Sequence, residues 1–367
     1  MTPSSLRKFI EFLGLCALSA AILWWFGRKL DWVEVRQALS HSNKYLLGAA
    51  VLMVCLVYLF QACRWGTLLA PLCPTSLRHL FAATTVGLSA IFLVGRLGEV
   101  VRPVVLPLRD PGVRASSSFI TIMIERIYDM MAIVIMFAAN LLWFSPPPRM
   151  ASEWFRIRIA GITLLIAAVA LIAGLNWYRR KSSKIIIWLN ELLNRRGFIP
   201  ARLTVLIIRT LEQIAKALVL VDFRRFALTI GWTILVWAGI VAVSLLVIRG
   251  FGVPFGITEA IFVLGWSVVG SLVPTPGGAA GFYHAATAAG LIFLGIEPET
   301  AAAISIVIHL ISFGPALVFG FFYFVGGDIK LSRLRSLATP TAVEHAVEDE
   351  EIVPDPLLNR RIAVSSD

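Results

Sequence analysis

Apolar residues fall along the chain in long runs, at about 9–26, 46–63, 117–143, 157–177, 226–248 and 299–325, separated by polar or basic stretches. A helix rising 1.5 Å per residue needs about 20 residues to cross a hydrocarbon layer about 30 Å thick, and each run approaches or exceeds that length. The pattern predicts six spanning helices. Two further apolar regions, 80–101 and 258–294, are interrupted by glycine and proline in the stretches GRLGEVVRP and PTPGG. Proline removes a helical donor and glycine permits a sharp reversal, so neither region reads as a simple span.

Composition agrees with this pattern, since 58% of the 367 residues are apolar and only 15% are charged. That balance is too apolar for a water-soluble fold of this length, so the bilayer is the solvent. Cys16, Cys55, Cys63 and Cys73 form no C-x-x-C pair and read as buried thiols. No HExxH, G-x-S-x-G, P-loop or dinucleotide fingerprint is present, so the sequence assigns no catalytic residue, metal or cofactor.

The net charge of +11 borders the apolar runs and carries no nucleic-acid motif, which points to a membrane surface and away from nucleic acid. Residues 179–225 hold eleven basic side chains against three acidic ones, which places that segment in the cytoplasm. Counting spans outward puts both termini inside. Arg28, Lys29, Arg36 and Lys44 in the first outer loop run against the rule. The count closes if each broken region enters and leaves on one side, 80–101 from the cytoplasm and 258–294 from outside. Two re-entrant hairpins of opposite entry are the product of an inverted repeat, a device of secondary transporters. Gly95 and Gly277 support one weakly, each followed about 31 residues later by Arg126 and His309. The expected fold is an all-α polytopic membrane helix bundle, with about six spanning helices, two re-entrant helical hairpins and this inverted pseudo-repeat. Residues 1–327 form its transmembrane domain. Within it, 178–225 is a basic amphipathic segment on the inner leaflet, with helical patterns at Ile185–Leu193 and Leu203–Leu220. Residues 328–367 read as a disordered, acidic cytoplasmic tail.

Three polar clusters interrupt the apolar pattern. Arg96, Glu99 and Arg102 stand three apart, so a helix would place them on one face, where they can pair; Gly95 and Gly98 would admit a close backbone and Pro103 would end the turn. A charge inside the membrane costs about 2.5 to 3.5 kcal/mol on insertion scales, and guanidinium matches phosphate geometry. The cluster is therefore a candidate phosphate-headgroup site, with Glu99 as counter-charge. The plainer reading is a cytoplasmic boundary. In the second cluster Glu125 and Asp129 share a helix face and Arg126 can pair with Asp129, as an ion-pair clamp or as part of a substrate pathway.

The third cluster, around Pro276, Gly277, Gly278, Gly281 and His284, reads as the tip of a broken helix. Amides of a helix restarting near Gly278 would favour an anion, and the plain alternative is a tight turn. His284 and His309 read first as packing residues and second as proton carriers. Arg64, beside Trp65, reads first as an interfacial anchor and second as a cavity residue.

GRLGEVVRP, ERIYD and PTPGGAAGFYH, in this order within about residues 10–327, resemble the lysylphosphatidylglycerol synthase transmembrane-region family of flippase-like proteins. The resemblance implies two re-entrant hairpins and translocation of a phospholipid or other polar-headed lipid between leaflets of the bacterial inner membrane. It carries over Arg96, Glu99, Arg102, Glu125, Arg126, Asp129, Pro276, Gly277, Gly278 and Gly281 as site residues. His284 departs from the family, whose members commonly place a glutamate soon after the PGG turn, and this puts a shared carboxylate-dependent step in doubt. Aminoacyl-transferring members also carry a large soluble C-terminal domain, whereas about 40 mostly polar residues follow the last span here. The expectation is a transporter of an anionic or aminoacylated phospholipid, rather than an enzyme. Its rivals are a membrane-embedded enzyme using the carboxylates and histidines as acid and base, and an accessory subunit of a glycolipid or hopanoid pathway. The sequence leaves homo-oligomerisation open.

Overall fold

The structure, a computed structural model, describes residues 30–144, 223–273 and 275–325, with isolated positions between 21 and 28 and between 158 and 174. Most of the expected span 157–177, nearly all of the expected span 9–26 and of the basic segment 178–225, and the whole tail 328–367 lie outside the described residues.

Among the described residues the chain is helical throughout. The helices are α1 (Trp32–His41), α2 (Lys44–Leu69), α3 (Leu77–Val94), α4 (Val101–Arg109), α5 (Ala115–Trp143), α6 (Phe223–Gly250), α7 (Ile257–Gly270), α8 (Phe282–Phe293) and α9 (Pro298–Val325). A tight 3-10 turn, Gly95–Val100, joins α3 to α4, and a four-residue turn, Pro276–Ala279, lies between α7 and α8. Asp31, Asn43 and Ser76 open α1, α2 and α3, their side-chain oxygens accepting from amides that have no partner within the helix.

The expected spans 46–63, 117–143, 226–248 and 299–325 are each one continuous helix. Among the described residues, four helices are by length and composition able to cross a membrane: Lys44–Leu69, Leu77–Val94, Arg224–Gly250 and Pro298–Tyr323. One of these is α3, so the broken region 80–101 is intact up to Gly95, where φ turns to +69° and the helix stops. Pro103 begins a helix rather than ending one. It sits in the first turn of α4, where its missing N–H would have had no helical partner anyway.

In lipid, helices associate by close packing rather than by expelling water, so small residues decide which faces meet. The contact of α2 with α6 runs through Gly239, where a Cβ would stand 2.5 Å from Val57 Cγ2. The α3–α4 hairpin closes at Gly87, where a Cβ would stand 2.7 Å from Arg102 Cβ, and at Gly98, where it would overlap the backbone of Ala90 and Ile91. The α7–α8 pair is antiparallel: Gly270 meets Tyr283, the Ser267 and Thr287 hydroxyls are hydrogen-bonded at 2.8 Å, and Gly290 meets Trp266. Ser267→Ala is expected to lower the unfolding free energy in detergent by about 1 kcal/mol, the usual net worth of one hydrogen bond.

The loop between α4 and α5 is organised by Asp110, which accepts from the Thr75 hydroxyl and from the Gly112 amide. The Thr75 hydrogen bond favours the ionised carboxyl and holds it below the ordinary carboxylate range. A carboxyl depressed in the folded state stabilises above its unfolded value, near pH 4, and that contribution is lost as pH falls. Thermal unfolding scans from pH 7 downward are expected to show a steeper acid loss for the wild-type chain than for Asp110→Asn.

Candidate functional site

Glu125 and Asp129, four residues apart on α5, do share a face, and that face points inward: Glu125 is 0% exposed and Asp129 7%. Opposite them α2 supplies Arg64. One of its Nη atoms donates to Asp129 Oδ1 at 2.6 Å, and the other donates to Asp129 Oδ2 at 3.1 Å and to Glu125 Oε1 at 2.8 Å. Arg102 at the start of α4 donates to the same Glu125 oxygen at 2.7 Å, with its guanidinium over the Trp65 ring at 4.4 Å. Trp237 of α6 completes the group by donating its indole N–H to Asp129 Oδ1 at 3.2 Å. Two carboxylates and two guanidiniums thus neutralise one another inside the bundle, which is how buried charge is tolerated.

Arg126 stands outside this frame. Its side chain is 40% exposed and lies 3.6 Å from Asp129 Oδ2 and 3.9 Å from Glu125 Oε1. Charge-assisted hydrogen bonds run to about 2.7–2.9 Å, so the two carboxylates leave its donors largely unused. A cavity of about 190 Å³ opens here, with Thr84, Glu99, Arg102, Arg126, Asp129 and Trp237 on its walls. Glu99 makes no hydrogen bond or ion pair among the described residues. Thr84 Oγ1, Arg126 Nε and Glu125 Oε2 are buried without partners. Buried polar atoms are nearly always paired with protein or water, so these three call for a partner beyond the side chains around them.

Several sequence expectations change. Arg64 is no interfacial anchor: the helix continues to Leu69, past the apolar run ending at 63, and Arg64 and Trp65 are 1% and 0% exposed. Of the expected ladder of Arg96, Glu99 and Arg102, the Glu99–Arg102 pair is not made, because Arg102 turns to Glu125. Arg96 lies in that turn, its side chain outside the described residues. Thr84, Trp237 and Thr233, whose hydroxyl accepts from Arg64 at 3.4 Å, escaped the sequence reading; each is a single polar-tipped residue inside an apolar helix, a signal too common to single out.

The PTPGG region forms a second cluster. Gly277, Gly278, Ala279 and Gly281 all have positive φ, and α8 restarts at Phe282 rather than near Gly278. Gly278 therefore offers a carbonyl instead of helix amides, and that oxygen lies 3.1 Å from His309 Nε2. His309 Nδ1 is 3.0 Å from His284 Nε2, so the two histidines pair with each other rather than packing singly. Pro274 and the Pro276 side chain lie outside the described residues. The turn packs on the end of α3 and on the 3-10 turn, so the two broken regions touch. His284, His309 and the turn glycines do not line the cavity. Phe92, next to the cavity residue Ile91, reaches His309 with ring centroids 5.8 Å apart. Among the described residues no cluster of three His, Cys, Asp or Glu could hold a metal.

No curated protein matches this chain. A family model described as the lysylphosphatidylglycerol synthase TM region matches residues 12–320, a stretch that takes in both broken regions and every residue of the charged frame. With its long apolar helices, the chain is a multi-pass membrane protein that belongs to the lysylphosphatidylglycerol synthase transmembrane-region family.

Proposed function

We propose that this protein is a lipid flippase or headgroup transporter of the inner membrane, moving an anionic or aminoacylated phospholipid or related polar-headed lipid between leaflets without altering it. The observation that carries the reading is the cavity beside Arg126, where an under-used guanidinium within the bundle shares the walls with the unpartnered Thr84 hydroxyl and with Glu99. In this reading Arg64, Arg102, Glu125 and Asp129 are a rigid frame. Arg126 receives the headgroup phosphate, Thr84 adds a hydroxyl, and Glu99 balances charge while the site is empty. The acyl chains remain in lipid.

The α3–α4 and α7–α8 pairs act as re-entrant hairpins of opposite entry, with both termini cytoplasmic. Supporting this, α7 has 14 residues and α8 has 12, about 21 and 18 Å at 1.5 Å per residue, each short of a hydrocarbon layer about 30 Å thick. At nine residues α4 is shorter still. Irregular backbone at such depth needs protein or a wet cavity around it, and the contact between the two turns meets that need.

The test is translocation of a fluorescent phosphatidylglycerol analogue by purified protein in vesicles. Arg126→Ala is expected to slow it about tenfold or more, since a hydrogen bond to a charged group is worth about 1.5–3 kcal/mol. Arg126 is partly exposed and only loosely paired, so thermal stability should stay close to wild type. Unchanged transport by this variant refutes the assignment, and a chemically altered lipid after incubation would favour a headgroup enzyme.

A further inference from the structure

The hydrogen-bonded chain through the two histidines can be assigned donor by donor. A carbonyl oxygen only accepts, so the contact to Gly278 places a proton on His309 Nε2. In a neutral ring His309 Nδ1 is then an acceptor, and the proton in the 3.0 Å contact must come from His284 Nε2. That leaves His284 Nδ1 as an open lone pair on a half-buried ring, without a hydrogen bond among the described residues. One proton can add there with every existing hydrogen bond kept. A second would have to add at His309 Nδ1, setting two N–H groups against each other and breaking the contact. The pair holds one extra proton, and not two.

The surroundings suit a cation that no carboxylate neutralises. Tyr283 stands T-shaped to His284, the ring that takes the added proton, with centroids 6.1 Å apart, and stacks on its partner His309 at 4.7 Å, while Phe313 and Phe92 pack on His309 at 5.2 and 5.8 Å. Aromatic faces attract a cation, more so where water is excluded. Of titratable groups on the packed elements, α8 contributes Tyr283, and α2 contributes Tyr58, whose hydroxyl donates to the Ser312 carbonyl; α7 carries Glu259, at the opposite end from the Gly270 that meets Tyr283, and α1, packed on α9, carries Glu34, Arg36 and His41. The 3-10 turn carries Glu99 and Arg96. The Pro276–Ala279 turn and the adjoining end of α3 contribute none.

We infer that His284 and His309 form a single-proton site that couples lipid movement to protons. The site ties α8, α9 and the left-handed turn together, and through Phe92 it abuts the helix that walls the cavity. A hydronium ion from the aqueous phase gives its proton to His284 Nδ1: one O–H bond breaks, one N–H bond forms, a water molecule leaves, and the charge of the pair rises by one. Positive charge there favours an anionic headgroup in the neighbouring cavity, and by linkage the headgroup favours the proton equally. The coupling rests on the transport reading above; the proton site itself does not.

Two measurements separate them. In full-length protein in lipid nanodiscs with 15N-labelled histidine, the His284 and His309 rings should share one proton-uptake event between about pH 8 and 4. In His284→Gln, whose amide can still donate to His309 Nδ1, that event should vanish; His309→Gln is the second variant. Two independent uptakes, none, or an unchanged event in a folded variant overturn the proton site, and the wild-type count decides even where a variant fails to fold. In vesicles carrying fluorescent phosphatidylglycerol, an imposed pH gradient should change the wild-type rate by about fivefold or more, the lower end of typical coupling. In His284→Gln the ratio of rates with and without the gradient should fall to about one. Wild-type transport indifferent to the gradient overturns the coupling. Absence of transport in every condition overturns the lipid reading, while the proton count still judges the histidine pair.

Discussion

Arg64→Ala is expected to destabilise the protein by about 3 to 5 kcal/mol, the cost of removing one partner from a buried ion pair. The side chain is 1% exposed and supplies three hydrogen bonds to two carboxylates that are themselves inside the bundle. Without it Asp129 keeps only the Trp237 N–H and the distant Arg126, and Glu125 keeps Arg102. Lysine should not rescue, because one ammonium cannot reproduce the fork that spans both carboxylates. Adding Asp129→Asn to Arg64→Ala should recover part of the loss, since the orphaned charge goes with it. Thermal unfolding of purified protein in detergent reads both effects. An Arg64→Ala protein as stable as wild type would show that the frame is not what holds α2, α4 and α5 together.

Gly98→Ala is expected to cost as much as about 3 kcal/mol, the upper end of ordinary overpacking, and to remove transport with it. The added methyl would overlap the Ala90 carbonyl carbon and the Ile91 nitrogen. Backbone atoms of a packed helix cannot rotate aside as a side chain can, so the 3-10 turn must lift away from α3. Glu99 and Arg102 ride on that turn and on the helix after it, so the cavity wall moves too. Gly314→Ala is the control: nothing lies within 4 Å of its added methyl, so it should be neutral or stabilise α9 slightly. Equal stability of the two variants would show that the close approach at Gly98 is not required.

The charged frame and the histidine pair differ in how far the sequence foretold them. Glu125 and Asp129 sit four apart in one apolar run, and helix geometry alone puts them on one face with a need for partners. That the partner would be Arg64, 61 and 65 residues away, follows only from α2 packing on α5. Arg126 pairs with Asp129 as its spacing foretold, at 3.6 Å, but a rotation of about 100° per residue, implied by 3.6 residues per turn, leaves it half out of the frame that Glu125 and Asp129 build.

By itself the sequence determined the helical class, most span positions among the described residues and the two places where helices break. Apolar length and the placement of glycine and proline act locally, within one segment. Tertiary structure alone decided which charges are consumed by one another and which remains available, that the 3-10 turn and the Pro276–Ala279 turn touch, and that His284 meets His309. Those outcomes depend on which helix faces meet, and in lipid that choice is made by close packing of small residues such as Gly87, Gly98 and Gly239, whose partners lie on other segments of the chain.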